Sequence, residues 1–199
     1  PRRNRRAAAL RGLMRETDLD PGRLIYPLFL IDGKGEEQAV ASMPGVHRRS
    51  IDLLVKEAAA AHALGVPAVA LFPALDDSLK DSVATESTRA DGLLQRAVRE
   101  LKNACPDLLV ITDVAMDPYS SDGHDGLVKD GEILNDPTLD ILADMAVAQA
   151  QAGADVVAPS DMMDGRVGIL REALDDEGFE NVGILAYSAQ YASASSGPF

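Results

Sequence analysis

Five short apolar runs punctuate the chain, and helix-periodic stretches separate them. The first run, LIYPLFLI (24–31), stops at Asp32-Gly33; AVALFP (68–73), residues 108–114, ADVVAPS (154–160) and VGILAYS (182–188) follow. Runs of leucine, valine and isoleucine without polar alternation suit parallel strands covered on both faces. Between them, Ile51, Leu54, Val55 and Ala58 recur at helical spacing, with Ser50 placed to cap the helix and Gly65 to end it. A second helix is predicted from near Asp91, with Leu94, Val98 and Leu101 on one face. A third starts at Asp136-Pro137, buries Leu139, Leu142 and Ala146 and ends at Gly153; a fourth covers 166–175. Residues 33–45 and 74–90 read as loops. LVKDGEIL (127–134) carries Asp130-Gly131 between apolar residues, the signature of a hairpin, here a flap on the loop before it.

Strand and helix thus alternate five times, the pattern of a (β/α) barrel or an open parallel sheet. No glycine-rich dinucleotide or phosphate fingerprint follows the first strand, which favours the barrel. The expected fold class is α/β, a TIM (β/α)8 barrel with about five β/α units in this chain. Residues 1–22 are expected to form an N-terminal arm and 23–199 a partial barrel domain, because eight units usually take about 250 residues.

Composition narrows the function. The net charge of −13 is unevenly spread: residues 1–50 hold ten Lys and Arg against six Asp and Glu, the remainder nine against twenty-six. So acidic a body is a poor partner for nucleic acid, and the basic arm PRRNRRAAALR, which lacks interleaved aromatics, reads as a solvated tail or as an arm docking on an acidic neighbouring subunit. No apolar run spans a bilayer and the basic N-terminal stretch lacks the apolar segment of a secretory signal, so neither membrane nor export is expected. One cysteine, Cys105, excludes an internal disulfide. The localisation expected is cytoplasmic, with a plastid equally compatible.

Candidate chemistry concentrates where the third run ends. LLVITDVAMDPYSSDGHDG (108–126) delivers Asp113, Asp117, Asp122 and Asp125, with His124, into a polar loop. The carboxyl ends of parallel strands are where ligands bind, because loops converge there on rigidly held residues. The EF-hand pattern fails, since Pro118 stands where the first ligand belongs. The other strand ends add Ser160, Asp161, Asp164 and Arg166, then Tyr187, Ser188 and Gln190. Asp161 and Asp164 also suit a helix N-terminus, and Arg166 suits either an ion pair with them or a fork for a substrate carboxylate.

SMPGV (42–46), AVALFP, ITDVAMDPYSSDGHDG (111–126), APSDMMDGRVGILREALD (158–175) and ILAYSAQYASASSGPF (184–199) resemble the porphobilinogen synthase (5-aminolevulinate dehydratase) family over nearly the whole chain. The resemblance implies a barrel enzyme whose N-terminal arm embraces a neighbour in a homo-octamer. It implies condensation of two 5-aminolevulinate molecules to porphobilinogen with loss of two waters, in tetrapyrrole (haem and chlorophyll) biosynthesis. Two family lysines form Schiff bases that turn substrate ketones into electron-withdrawing iminium ions. Asp113, Asp117 and Asp125 correspond to catalytic positions, and Ser160, Asp161 and Tyr187 to substrate-binding ones. Zinc-dependent members place cysteines at the positions of Ala115, Asp117 and Asp125, so the resemblance implies no zinc at this loop. It points instead to an aspartate-rich, magnesium-responsive branch. Asp117 and Asp125 are candidate magnesium ligands, or act directly on protons and the substrate ammonium.

Two departures qualify this. Gln190 stands at a family Schiff-base lysine, and an amide nitrogen is not nucleophilic; Ser195 and Ser196 replace two aromatics. The second family lysine, the arginine after Gly-Pro-Phe and the last three strands fall beyond Phe199. None of Lys34, Lys56, Lys80, Lys102 and Lys129 reads as a substitute, since a catalytic lysine needs an apolar pocket. The expectation is a porphobilinogen synthase by descent, partial or truncated and impaired as written. The alternative is a non-catalytic homologue or fragment that associates with full-length synthase subunits. A class I aldolase would need a strand-end lysine.

Overall fold

The computed structural model describes residues 2–189 and 191. In chain order the elements are α1 (Ala8–Leu13), β1 (Ile25–Leu30), β2 (Glu37–Ala39), β3 (His47–Arg49), α2 (Ile51–Ala63), β4 (Ala68–Pro73), α3 (Leu93–Ala104), β5 (Leu109–Val114), β6 (Leu127–Lys129), β7 (Glu132–Leu134), α4 (Asn135–Ala152), β8 (Val156–Pro159), α5 (Arg166–Asp176) and β9 (Gly183–Ile184). One sheet runs β2-β3-β1-β4-β5-β8-β9, parallel throughout except for the β2–β3 pair. Its five predicted strands keep their sequence order, as successive barrel strands do.

The strands look uniformly apolar, yet their two faces differ in size. Leu28, Leu30, Val69, Leu71 and Val110 pack outward on Leu54 and Ala58 of α2 and Leu94, Val98 and Leu101 of α3. Val114 and Val157 pack outward on Leu142, Met145 and Ala146 of α4 and Leu170 and Leu174 of α5. The opposite face carries Ala68, Ala70, Ile111 and Ala158 beside Phe72, whose ring stacks on Phe29 at 5.5 Å. Helices therefore cover one face with the bulk of the core, and the concave face is left for barrel interior and mouth. The hairpin β6–β7 turns at Asp130 (φ 53°) and Gly131 (φ 82°), the paired left-handed conformations of a type I′ turn.

Several expectations need correction. Ser50 does not cap α2: its hydroxyl donates to Asp52 Oδ1 at 2.7 Å and accepts from Glu36 N at 2.9 Å, tying the preceding loop to the helix. Residues 33–45 are not all loop, because β2 pairs with β3 and β3 adds to the end of β1 opposite Phe29 and Leu30. Helix α3 begins at Leu93, near Asp91 as expected. Helix α4 begins at Asn135, so Asp136 lies inside its first turn; Thr138 holds this end, accepting from Leu127 N at 2.9 Å and donating to Leu134 O at 2.6 Å. The fifth strand is two residues long, although Leu185 N and Tyr187 N still donate to Val157 O and Pro159 O. Residues 2–24 bury no side chain, and Leu13 and Leu19 are 80% and 88% exposed. Gln190, Ser195 and Ser196 lie outside the described residues.

Candidate active site

The β5–β8 register sets the first contact. Asp113 lies opposite Ala158 and Val114 opposite Pro159, so Ser160 emerges beside the end of β5. Its Oγ donates to Asp113 Oδ1 at 2.8 Å. The backbone beneath is pinned from the helix layer: buried Gln149 of α4 donates to Asp113 O at 2.7 Å and accepts from Thr112 Oγ1 at 2.7 Å. Burial pushes the Asp113 carboxyl up to about 7, against the pull of Ser160 and with help from the negative charges of Asp117 and Asp161.

Beyond β5 the chain coils, Tyr119 N and Ser120 N both reaching Met116 O at 2.8 Å. A segment of the β4–α3 connection lies against it: Asp81 N donates to Tyr119 O, and Ser121 N to Asp81 O at 3.0 Å. The coil turns Asp117 and Asp125 toward each other, and their carboxyls share a hydrogen bond. Asp125, 5% exposed, is pushed up to about 7 by burial, then by the charge of Asp117 and the bond it donates to that carboxylate. Asp117 is also raised by burial, but accepting that bond and the nearby Lys80 ammonium hold it down. The two carboxyls thus share a proton, with the stronger upward push on Asp125. Asp122 points to solvent, and His124 Nδ1 accepts from Gly126 N at 3.1 Å.

Asp161 is fully buried five residues ahead of α5, so it is not a first-turn helix acid. Its Oδ1 accepts from Met163 N at 2.8 Å, and its Oδ2 faces Arg166 Nε at 3.6 Å. Arg166 donates its terminal nitrogens to Met163 O and Tyr187 O, both at 3.1 Å. Its fork is therefore occupied and ties the end of β9 to the β8–α5 loop. Tyr187 lines an apolar cavity of about 370 Å³ on the concave face with Ile25, Phe72, Ile111 and Leu185, and burial raises its phenol. Asp164 is exposed, its backbone bonded to Asn135.

Two residues here were not anticipated. Lys80 reaches the Asp117 neighbourhood from the β4–α3 loop while pairing with Asp77 at 2.8 Å. Tyr119 is 3% exposed, its hydroxyl has no hydrogen-bond partner among the described residues, and burial followed by the charge of Asp113 raises it. Only the position of Tyr119 inside the acidic stretch hinted at it. The cluster combines Asp113, which holds a proton near neutrality, with the Asp117–Asp125 pair, which shares one. That set can donate protons, accept them and bind a cationic amine. Among the described residues no three His, Cys, Asp or Glu side chains group as a metal site. Asp117 and Asp125 suit a divalent ion only as two ligands completed by water, after giving up their shared proton.

A family model described as delta-aminolevulinic acid dehydratase matches residues 1–199. The chain is 53% identical over 201 residues to the chloroplastic delta-aminolevulinic acid dehydratase of Glycine max, covering all of this chain and 48% of that protein. It is 51% identical over 199 residues to the enzyme of Bradyrhizobium diazoefficiens, covering 56% of it. A crystal structure of the porphobilinogen synthase of Toxoplasma gondii, in complex with its reaction product porphobilinogen, superposes with a TM-score of 0.94 at 51% identity, over 97% of this chain and 55% of that one. The chain thus spans about half the length of the curated relatives it matches.

Proposed function

The chain belongs to the delta-aminolevulinic acid dehydratase (porphobilinogen synthase) family, and on that premise we propose that it carries the acid half of a site for condensing two 5-aminolevulinate molecules to porphobilinogen. The observation that supports this is the convergence of Asp113, Asp117 and Asp125 at the end of β5, with Ser160 of the next strand bonded to Asp113.

The reaction releases two carbonyl oxygens as water, and each departure needs protons delivered to oxygen. Asp113 and Asp125, both pushed up to about 7, hold such protons at working pH. Asp117, raised by burial but pulled down by the Asp125 bond and the Lys80 ammonium, is suited to an ammonium group or to a proton released from carbon. Ser160 and Tyr187 border the same mouth and offer hydroxyls to the substrate. Gln190 supplies no amine at its family position, so turnover by this chain alone is expected to be low. A magnesium ion at Asp117 and Asp125 would supply Lewis acidity and fix their spacing, in competition with the proton they share.

The test is to incubate the chain with 5-aminolevulinate, reduce with borohydride and weigh it, alongside calorimetric titration with porphobilinogen. The expected result is product binding that D113A abolishes, without a covalent increment. A stable one-substrate increment would overturn the impaired reading, and absence of product binding would overturn the site assignment.

A second reading, association with complete synthase subunits as part of a homo-oligomer, is favoured by the arm, which buries nothing in its own chain and exposes Leu13, Met14 and Leu19. Co-purification with a full-length relative, lost on deleting residues 2–24, tests it.

A further inference from the structure

A cavity of about 730 Å³ opens between the β2–β3 hairpin, the ends of β1 and β4, and the start of α3. It shares no lining residue with the Asp113 cluster, and its size is that of a small-molecule site. Its walls carry seven charged side chains, and five are matched to each other. Arg96 pairs with Asp32 at 3.0 Å, and Arg89 with both Asp91 at 3.0 Å and Glu86 at 3.2 Å. Two make no ion pair. Arg48 of β3 makes no ion pair or side-chain hydrogen bond among the described residues, and Asp76, exposed at the rim, accepts only from Ser78, through one oxygen, with the Lys80 ammonium acting on it from beyond ion-pair distance.

The leftover groups have opposite sign, and that selects the ligand. A simple anion would gain Arg48 but meet a lining with four acids against three arginines; a simple cation would leave a half-buried guanidinium unmatched. A molecule bearing a carboxylate and an ammonium answers both groups at once. Ile31, Leu75 and Leu79 supply apolar wall for the chain between its ends.

We propose that this cavity is a binding site for a small zwitterionic ω-amino acid, carboxylate on Arg48 and ammonium on Asp76, separate from the acid cluster. Such a ligand carries no ketone and needs no catalytic group, so the site is independent of turnover.

The probes are glycine, 4-aminobutyrate and 6-aminohexanoate, titrated into the 15N-labelled chain and followed by amide shifts. At least one is expected to bind saturably with shifts at Gln38, Arg48, Asp76 and Leu79. R48M and D76N are each expected to weaken it about tenfold or more, the loss of one charge-assisted contact. Hexanoate and hexylamine, each with one charge, should bind about tenfold more weakly than 6-aminohexanoate, and D113N should leave the shifts in place. The proposal is overturned if none of the three binds saturably, if the shifts fall only on the Asp113–Asp125 region, or if D76N and a folded R48M bind like the parent chain.

Discussion

The hydroxyl of Ser160 donates to Oδ1 of Asp113 at 2.8 Å, joining the ends of β5 and β8 by a side-chain bond one step beyond their last ladder pair. A bond donated to the charged form lowers a carboxyl's affinity for protons, so Ser160 works against the burial that raises Asp113. S160A should therefore move Asp113 above about 7. Carboxyl 13C titration reads this directly, and an unchanged or lower midpoint would contradict the pairing.

Asp113 also makes stability depend on pH. Its folded value of about 7 lies above the ordinary 3.8, so between those values the folded chain keeps a proton that the unfolded chain has released. The stability carried by that proton is full below about pH 4 and is lost as pH rises through 7; Asp125 adds in the same direction. D113N stays neutral and keeps an oxygen for Ser160. Relative to the parent it should gain on the order of 4 kcal/mol between pH 4 and pH 8. Urea midpoints at the two pH values measure the gain, and an equal offset at both would refute it.

Gln149 satisfies two buried groups at once, the Asp113 carbonyl and the Thr112 hydroxyl. Q149L removes the side-chain donor to the Asp113 carbonyl and leaves the Thr112 hydroxyl only its long bond to Val156 O at 3.5 Å, and it should destabilise the chain by about 2–4 kcal/mol. T112V removes one end of the same network, so the T112V/Q149L double variant should lose less than the sum of the singles, by roughly 1 kcal/mol. Denaturant unfolding of the four chains decides it: strict additivity would mean the Thr112–Gln149 bond does not form.

The Asp117–Asp125 pair predicts a linkage between proton and metal. D117N removes the negative charge that raises Asp125 and leaves only a neutral amide oxygen in its place, so Asp125 should titrate below about 7 in that variant. For the same reason magnesium held by both carboxyls must expel their proton, and its affinity should rise from pH 6 to pH 8. Calorimetry at both pH values measures it; binding that ignores pH, or survives D117N, places the ion elsewhere.

What the sequence reveals follows the range of the forces involved. The five strands are legible because each is an unbroken apolar run, and Asp113 is legible as the polar residue closing one of them. Which face of a strand meets the helices is harder to read, since both faces are apolar and only size separates Val69 and Leu71 from Ala68 and Ala70. β2 and β3 escape notice because EQA and HRR are short and polar, and their pairing depends on distant Phe29 and Leu30. Lys80 escapes for a related reason: no local pattern in 74–90 announces that Asp81 will dock on the backbone of Tyr119 and Ser121. Ser50 and Asp136 were misplaced because a cap residue next to a helix start can serve a neighbouring loop or the helix's own first turn equally well.

The last strand leaves a mark that exchange with heavy water would read. Gly183, Leu185 and Tyr187 give their amide protons to carbonyls of the β8 segment. Ile184, Ala186 and Ser188 alternate with them and direct theirs to the other edge, where no strand of the described residues stands. Along residues 183–188 deuterium should enter every second amide quickly and its neighbours slowly. Any chain that takes its place along that edge would erase the alternation, so the rhythm of exchange itself reports whether β9 has found a neighbour.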